Sequence, residues 1–265
     1  MKRFLKRSLA RLHYELTGLH PNALKGSVDN YAGTISALLT LSPKSEAVEP
    51  IALSEAFEDL SQSKDCKDLA ALFAQHGSDK STVHNYYLMY AAILKGKRDL
   101  PLNILEIGLG TNNTSLPSNM GKDGKPGASL RTWRDWAPKS TVFGADIDMN
   151  ILFSEERITT HYVDQTDPSS LKTLAEQLHG TNFDLIVDDG LHNPWANLNT
   201  LHFALDLLKP GAVFVVEDIL KEYLPIWKIA VTLIDPKYHP LLVNTKCRTV
   251  CVLRKPEITV DSSRD

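Results

Sequence analysis

The sequence predicts an α/β protein built on a doubly wound, mostly parallel sheet of seven strands, with a helical N-terminal extension. Two observations carry that expectation. From Asn103 onward, short apolar runs alternate with helical stretches, the pattern of a parallel sheet covered on both faces. One of these runs, Leu185-Ile186-Val187, breaks at once into Asp188, Asp189, Gly190 and His192. A buried parallel strand reads as such a run. Polar residues at its carboxyl end stand where open α/β sheets bind ligands.

The chain has 265 residues, 43% of them hydrophobic, enough for one large domain and an appendage. The division expected is a helical extension over residues 1–65 and the sheet domain over 66–265. The formal net charge of -3 gives no reason to expect a nucleic-acid partner. The three cysteines (Cys66, Cys247 and Cys251) have neither a disulfide framework nor metal-binding spacing, which points to a reducing, cytoplasmic setting. No apolar stretch approaches the ~20 residues of a membrane-spanning helix.

Taken in order, residues 2–17 place Phe4, Leu5, Leu9, Leu12 and Leu16 at helical spacing, among Lys2, Arg3, Lys6, Arg7 and Arg11. This basic amphipathic helix suits a docking or homo-oligomer contact, and as a second reading a peripheral contact with an anionic membrane. Residues 27–65 read as mainly helical. Residues 66–96 read as two helices around His76–His84, with Asp79 or Ser81 as the cap of the second. Tyr87 and Tyr90 read as core; Asp79, Lys80 and His84 are placed to close over a ligand. Five strands follow: 103–108, 141–146, 158–163, the run that ends at Asp188, and 212–216. Helices over 129–136, 168–179, 194–208 and 222–233 are interleaved with them. Two last strands cover 241–243 and 249–253.

Candidate ligand-binding residues sit at the strand ends. Gly108 and Gly110 after the first strand allow close approach of backbone to a ligand. A dinucleotide fingerprint wants a third glycine where the chain has Asn113. Glu106 before the glycines would repel a pyrophosphate and welcome an ammonium, and S-adenosylmethionine carries an ammonium and a sulfonium. Asp146 ends the second strand, where an acid accepts from both ribose hydroxyls. Asp164 and Gln165 after the third strand suit the adenine edge, and Asp148 reads as a helix cap.

Glu106-Ile-Gly108-Leu-Gly110, Asp146 and Asp164 on alternating strands resemble a class I S-adenosylmethionine-dependent methyltransferase, over roughly residues 76–255. Further motifs narrow the resemblance: Gly77-Ser-Asp-Lys80 with His84 and Tyr86, Gly127-Ala-Ser-Leu-Arg131 with Trp133, Asp188-Asp-Gly-Leu-His192, and Val216-Glu-Asp-Ile219. They are similar to the metal-dependent sugar O-methyltransferases of antibiotic biosynthesis and to the cephalosporin-hydroxylase-like group. The departure is residues 111–126, an insertion expected to form a flexible loop beside the cofactor.

If the strands ending at Asp188 and Val216 are neighbours, Asp189 lies beside Glu217 and Asp218. Three crowded carboxylates call for a cation, and oxygen ligands suit Mg²⁺, or Mn²⁺. The resemblance implies the same three as metal ligands and His192 as general base. It also implies a small-molecule or glycan acceptor, whose hydroxyl would lose its proton to His192 and attack the sulfonium methyl. Two other readings keep the fold: methyl transfer to a catechol-like or other small diol, and an S-adenosylmethionine-binding protein without catalysis.

Overall fold

The computed structural model describes residues 48–257; the basic helix expected over 2–17 lies outside them. Nine strands form one sheet. They are β1 (Ile51–Ala52), β2 (Asn103–Ile107), β3 (Thr141–Asp146), β4 (Ser154–Glu155), β5 (Ile158–Tyr162), β6 (Phe183–Asp188), β7 (Leu208–Ile219), β8 (Leu241–Asn244) and β9 (Thr249–Arg254). Their spatial order is β1-β8-β9-β7-β6-β2-β3-β5-β4. The seven expected strands are all present, and the two additions, β1 and β4, are two-residue edge strands. β5-β3-β2-β6-β7 run parallel, while β9 pairs antiparallel with both β7 and β8. The chain steps outward from β2 through β3 to β5, then returns to the other side of β2 as β6. The carboxyl ends of β2 and β6 therefore flank the switch point where such sheets open a crevice.

Alternation along the strands divides the core into two layers. Ile104, Val142, Leu185, Val187, Val213 and Val215 face one layer, against α2 (Lys64–His76), α3 (Tyr86–Ile93) and α4 (Ala128–Trp136). Leu105, Ile107, Ala145, Ile186, Phe214 and Val216 face the other, against α5 (Pro168–Gln177), α6 (Pro194–Leu207) and α7 (Leu224–Leu233).

Local chemistry sets the helix ends that bear on the site. Ser63 caps α2 by accepting from Cys66 N. Gly77, at φ 86°, ends α2 with its N–H on Phe73 and Ala74 carbonyls, and Ser78 N bonds Phe73 O, a left-handed stop that needs glycine. Asn193 caps α6 through Trp195 N, with Pro194 in the first turn, so His192 is released from that duty.

Two expectations are corrected. The described part of 27–65, residues 48–65, is not mainly helical: it holds β1, the four-residue α1 (Leu53–Ala56), loop and the first two residues of α2. Neither Asp79 nor Ser81 caps α3; its N-cap is Asn85, and Ser78 instead caps the short turn Asp79–Ser81.

Candidate active site

Two cavities meet over the switch point. The first, ≈ 160 Å³, is bounded by Gly108, Gly110, Asp146, Asp164 and Gly190. The second, ≈ 410 Å³, is bounded by Asp79, Lys80, Tyr86, His192 and Asp218. Gly108, Gly110, Ser118 and Asp189 border both. The insertion is the common wall: Ser118 Oγ donates to Leu191 O at 2.9 Å, and Met120 N bonds Thr111 O at 2.8 Å.

Around the first cavity, Gly108 has φ 96° and packs so tightly that a Cβ there would lie 2.1 Å from Asp189 O. Asp146 accepts from Leu109 N at 2.7 Å and Asp148 N at 2.8 Å, and burial pushes its pKa up. A carboxylate has about four acceptor sites, so capacity remains for hydroxyls in the cavity. Asp164 has one oxygen engaged by Thr166. Asp148 caps the turn at Met149, as expected.

Gln165 borders this cavity, but its amide is already used. Nε2 donates to Asp188 Oδ1 and Thr200 Oγ1, and Oε1 accepts from Leu191 N. With both donors engaged, it holds the 188–191 turn. Glu106 departs from expectation. It shares the strand face of Ile104, is fully buried beneath the cavities, and accepts from Ser129 Oγ at 2.7 Å and Trp133 Nε1 at 2.6 Å. It is not among the residues that border either cavity.

The second cavity holds the carboxylates. Glu217 continues the alternation of Val213 and Val215 and turns inward to the layer of α3. Tyr90 Oη and Lys80 Nζ donate to its two oxygens. Asp218 breaks that alternation. It has φ 53°, and the β7–β9 register shifts between Val216 and Ile219, a bulge that turns its carboxylate to the cavity. Of the three expected metal ligands, Asp189 and Asp218 are brought together with His192, their ligand atoms all within 4.8 Å of one another, and Glu217 is not in that group.

The orientation of the pair is set from behind. Lys80 Nζ takes Asp189 Oδ2 at 2.7 Å, and Tyr86 Oη donates to Asp218 Oδ1 at 2.5 Å. The other oxygens, Asp189 Oδ1 and Asp218 Oδ2, face His192 Nε2 at 4.0 and 3.8 Å. His192, at φ 54°, has its Nδ1 buried without a partner among the described residues. Behind Tyr86, His84 stacks on the ring at 4.5 Å.

Tyr90 is core as expected; the ion pairs of Lys80 are what sequence reasoning did not reveal. Lys80 is 2% exposed, 2.7 Å from Asp189, 3.4 Å from Glu106, and paired with Glu217. Burial alone would strip its proton; Asp189, Glu217 and Glu106 outweigh burial and hold its pKa well above the usual lysine value. Burial raises the pKa of Glu217 against the pull of Lys80. It acts the same way on Asp189, but Lys80 and His192 prevail there and keep Asp189 below the usual range. Four carboxyl groups, Glu106, Asp189, Glu217 and Asp218, surround this one lysine, and Asp189 and Asp218 present free oxygens.

No family model matches the chain. Over 162 residues it is 32% identical to the 8-demethyl-8-alpha-L-rhamnosyl tetracenomycin-C 2'-O-methyltransferase of Streptomyces olivaceus, covering 61% of this chain and 40% of that one. Over 163 residues it is 34% identical to the L-olivosyl-oleandolide 3-O-methyltransferase of Streptomyces antibioticus, covering 59% and 38%. The chain thus spans about two fifths of the length of these relatives. Among solved structures it matches MycE methyltransferase from the mycinamycin biosynthetic pathway, in complex with Mg and SAH, with a TM-score of 0.58 and 23% identity over 72% of this chain and 55% of that one. The chain therefore has the Rossmann-like fold of a methyltransferase, and over about three fifths of its length it is similar in sequence to O-methyltransferases of Streptomyces.

Proposed function

We propose that the protein is an S-adenosylmethionine-dependent O-methyltransferase, assisted by a divalent cation, that acts on a hydroxyl of a sugar or glycosylated small molecule. One observation carries the reading: the free oxygens of Asp189 and Asp218 and His192 Nε2 converge at the border of two adjoining cavities. The smaller cavity takes the donor. Asp146 accepts from the ribose hydroxyls, Asp164 meets the adenine side, and the Gly108–Gly110 backbone lets the donor lie against the sheet edge. The larger cavity takes the acceptor. Asp189 and Asp218 would hold the cation, which when bound would supply charge that makes a neighbouring acceptor hydroxyl easier to deprotonate. His192 takes that proton at Nε2. The freed oxygen attacks the methyl carbon as its bond to sulfur breaks, releasing S-adenosylhomocysteine, and the fixed strand ends hold the two reactants in line. The relatives' names, with rhamnosyl and olivosyl acceptors, support a sugar hydroxyl over a catechol-like diol.

The test is methyl transfer from S-adenosylmethionine to a panel of deoxysugar glycosides, with and without EDTA. Cation-dependent methylation of a glycoside is the expected result; no transfer to any diol, with S-adenosylhomocysteine bound normally, would leave a binding protein. His192→Ala should lower kcat at least ~100-fold, as loss of a general base does, and leave S-adenosylhomocysteine and Mn²⁺ affinities unchanged. Loss of Mn²⁺ affinity instead would make His192 a ligand.

A further inference from the structure

The family resemblance makes Glu217 a metal ligand, yet the geometry gives its oxygens to other partners. Glu217 is 1% exposed and lies on the inward strand face, with Tyr90 Oη on Oε1 and Lys80 Nζ on Oε2. Lys80 reaches it from the turn after α2, and the same ammonium takes Asp189 Oδ2 and approaches Glu106 Oε1. A cation drawn to Glu217 would have to displace, or sit against, a buried ammonium; like charges at that distance repel strongly in a site shielded from water. No lysine among the described residues pairs with Asp218; His84 Nε2 lies 3.9 Å from its Oδ1 and His192 Nε2 3.8 Å from its Oδ2. The only hydrogen bond to Asp218 among the described residues is from a neutral tyrosine hydroxyl, Tyr86 Oη.

We infer that Lys80 is a positioning residue, a built-in monovalent counter-ion that withdraws Glu217 from the cation site. The protein's carboxylate ligands are then Asp189 and Asp218 alone. Glu217 instead anchors Lys80, which ties the ends of β2, β6 and β7 together. Two carboxylates rather than three leave more of the ion's coordination positions to solvent and to the two oxygens of a vicinal diol, consistent with Mg²⁺ or Mn²⁺, which keep several exchangeable positions.

This inference rests on the cation reading above, and the experiment separates the two. Mn²⁺ binding is measured by electron paramagnetic resonance, without donor or acceptor, on the full chain and on Glu217→Gln, Asp218→Asn and the double variant Lys80→Met with Glu217→Gln. A melting curve accompanies each. The double variant keeps the net charge and an acceptor for Tyr90, so it carries the test if Glu217→Gln folds poorly. The expected result is less than a tenfold change in Mn²⁺ affinity for Glu217→Gln and the double variant, and more than a tenfold loss for Asp218→Asn. A loss of tenfold or more in a folded variant at position 217 overturns the inference and restores Glu217 as a ligand. A parent chain that binds S-adenosylhomocysteine but no Mn²⁺ overturns the cation reading, and this inference with it.

Discussion

Replacing Gly108 by alanine puts a methyl group where the structure has main chain. The Cβ would lie 2.1 Å from Asp189 O, 2.4 Å from Asp189 C and 2.7 Å from Gly190 Cα. All three are backbone atoms, so no side-chain rotation can make room. Relief requires prying the 189–190 turn away from β2, against the bond from Asp189 N to Ile107 O at 2.8 Å. Left-handed backbone costs a non-glycine residue about 1–2 kcal/mol, and forcing a methyl into filled space about 1–3 kcal/mol more. The sum, about 2–5 kcal/mol, corresponds to a fall in Tm of about 4–20 °C for a domain of this size. Gly96 and Gly180 provide controls with φ of 71° and 73° and nothing within 4 Å of the added atom. Gly96→Ala and Gly180→Ala should therefore lose only the backbone part, about 1–2 kcal/mol. Urea unfolding of the three variants measures the difference, and S-adenosylhomocysteine titration tests whether the turn has moved. A Gly108→Ala protein as stable as the two controls, with unaltered affinity, would refute the close approach of β2 and β6 on which the site is built.

Other consequences are narrower. Tyr86→Phe removes the hydroxyl behind Asp218 Oδ1 and should weaken Mn²⁺ binding about tenfold or more, as loss of a ligand's supporting partner does, while changing stability by about 1 kcal/mol; isothermal titration and melting read the two separately. Gly190→Ala places a Cβ 2.0 Å from Gln165 Oε1, so the bond to Leu191 N should break and donor affinity fall, visible in S-adenosylhomocysteine titration with the fold retained by circular dichroism. Trp133→Phe takes away one of the two side-chain donors to fully buried Glu106 and should cost about 1–3 kcal/mol in urea unfolding. Asp135 is held below the usual carboxylate range first by Arg134, with His76 adding to it. Its stabilising contribution is thus present above the unfolded carboxylate pKa of about 3.9 and lost as pH falls through the lower folded value. Asp135→Asn should accordingly be less stable than the parent by under about 1 kcal/mol at pH 6, with the gap closing toward pH 2.

The strand ends were legible because a parallel sheet announces itself locally: β2, β3, β5 and β6 are runs whose carboxyl-terminal polar residues stand out in sequence. Facing is harder to read at the last residue or two. Glu106 looks like a rim residue beside Gly108, but the period of two gives it the face of Ile104, against Trp133. Glu217 and Asp218 look equivalent as a pair, and both border the second cavity, but the left-handed φ at Asp218 leaves Glu217 bonded to Lys80 and Tyr90 and Asp218 beside His192. Lys80 is 109 residues from Asp189 and 137 from Glu217, so no spacing could reveal its ion pairs. Its one sequence sign was a lysine within Gly77-Ser-Asp-Lys80, a segment polar enough to be solvent-facing. Gln165 stands at the cavity where the sequence put it, but its ties to Asp188 and Thr200 are 23 and 35 residues apart in sequence and could not be read from spacing.

The insertion through Ser118 is a party wall, since that residue borders both cavities and is fastened to Leu191, next to His192. With donor and acceptor assigned to the two cavities as proposed, a guest that pushes on one side reshapes the room on the other. The two reactants would then be energetically linked, and by reciprocity whatever factor a bulky acceptor imposes on nucleoside affinity, the nucleoside imposes on the acceptor. On that assignment substrate choice is written partly in a stretch of chain that performs no chemistry, and trimming that stretch should broaden the range of guests while loosening the grip on the methyl donor.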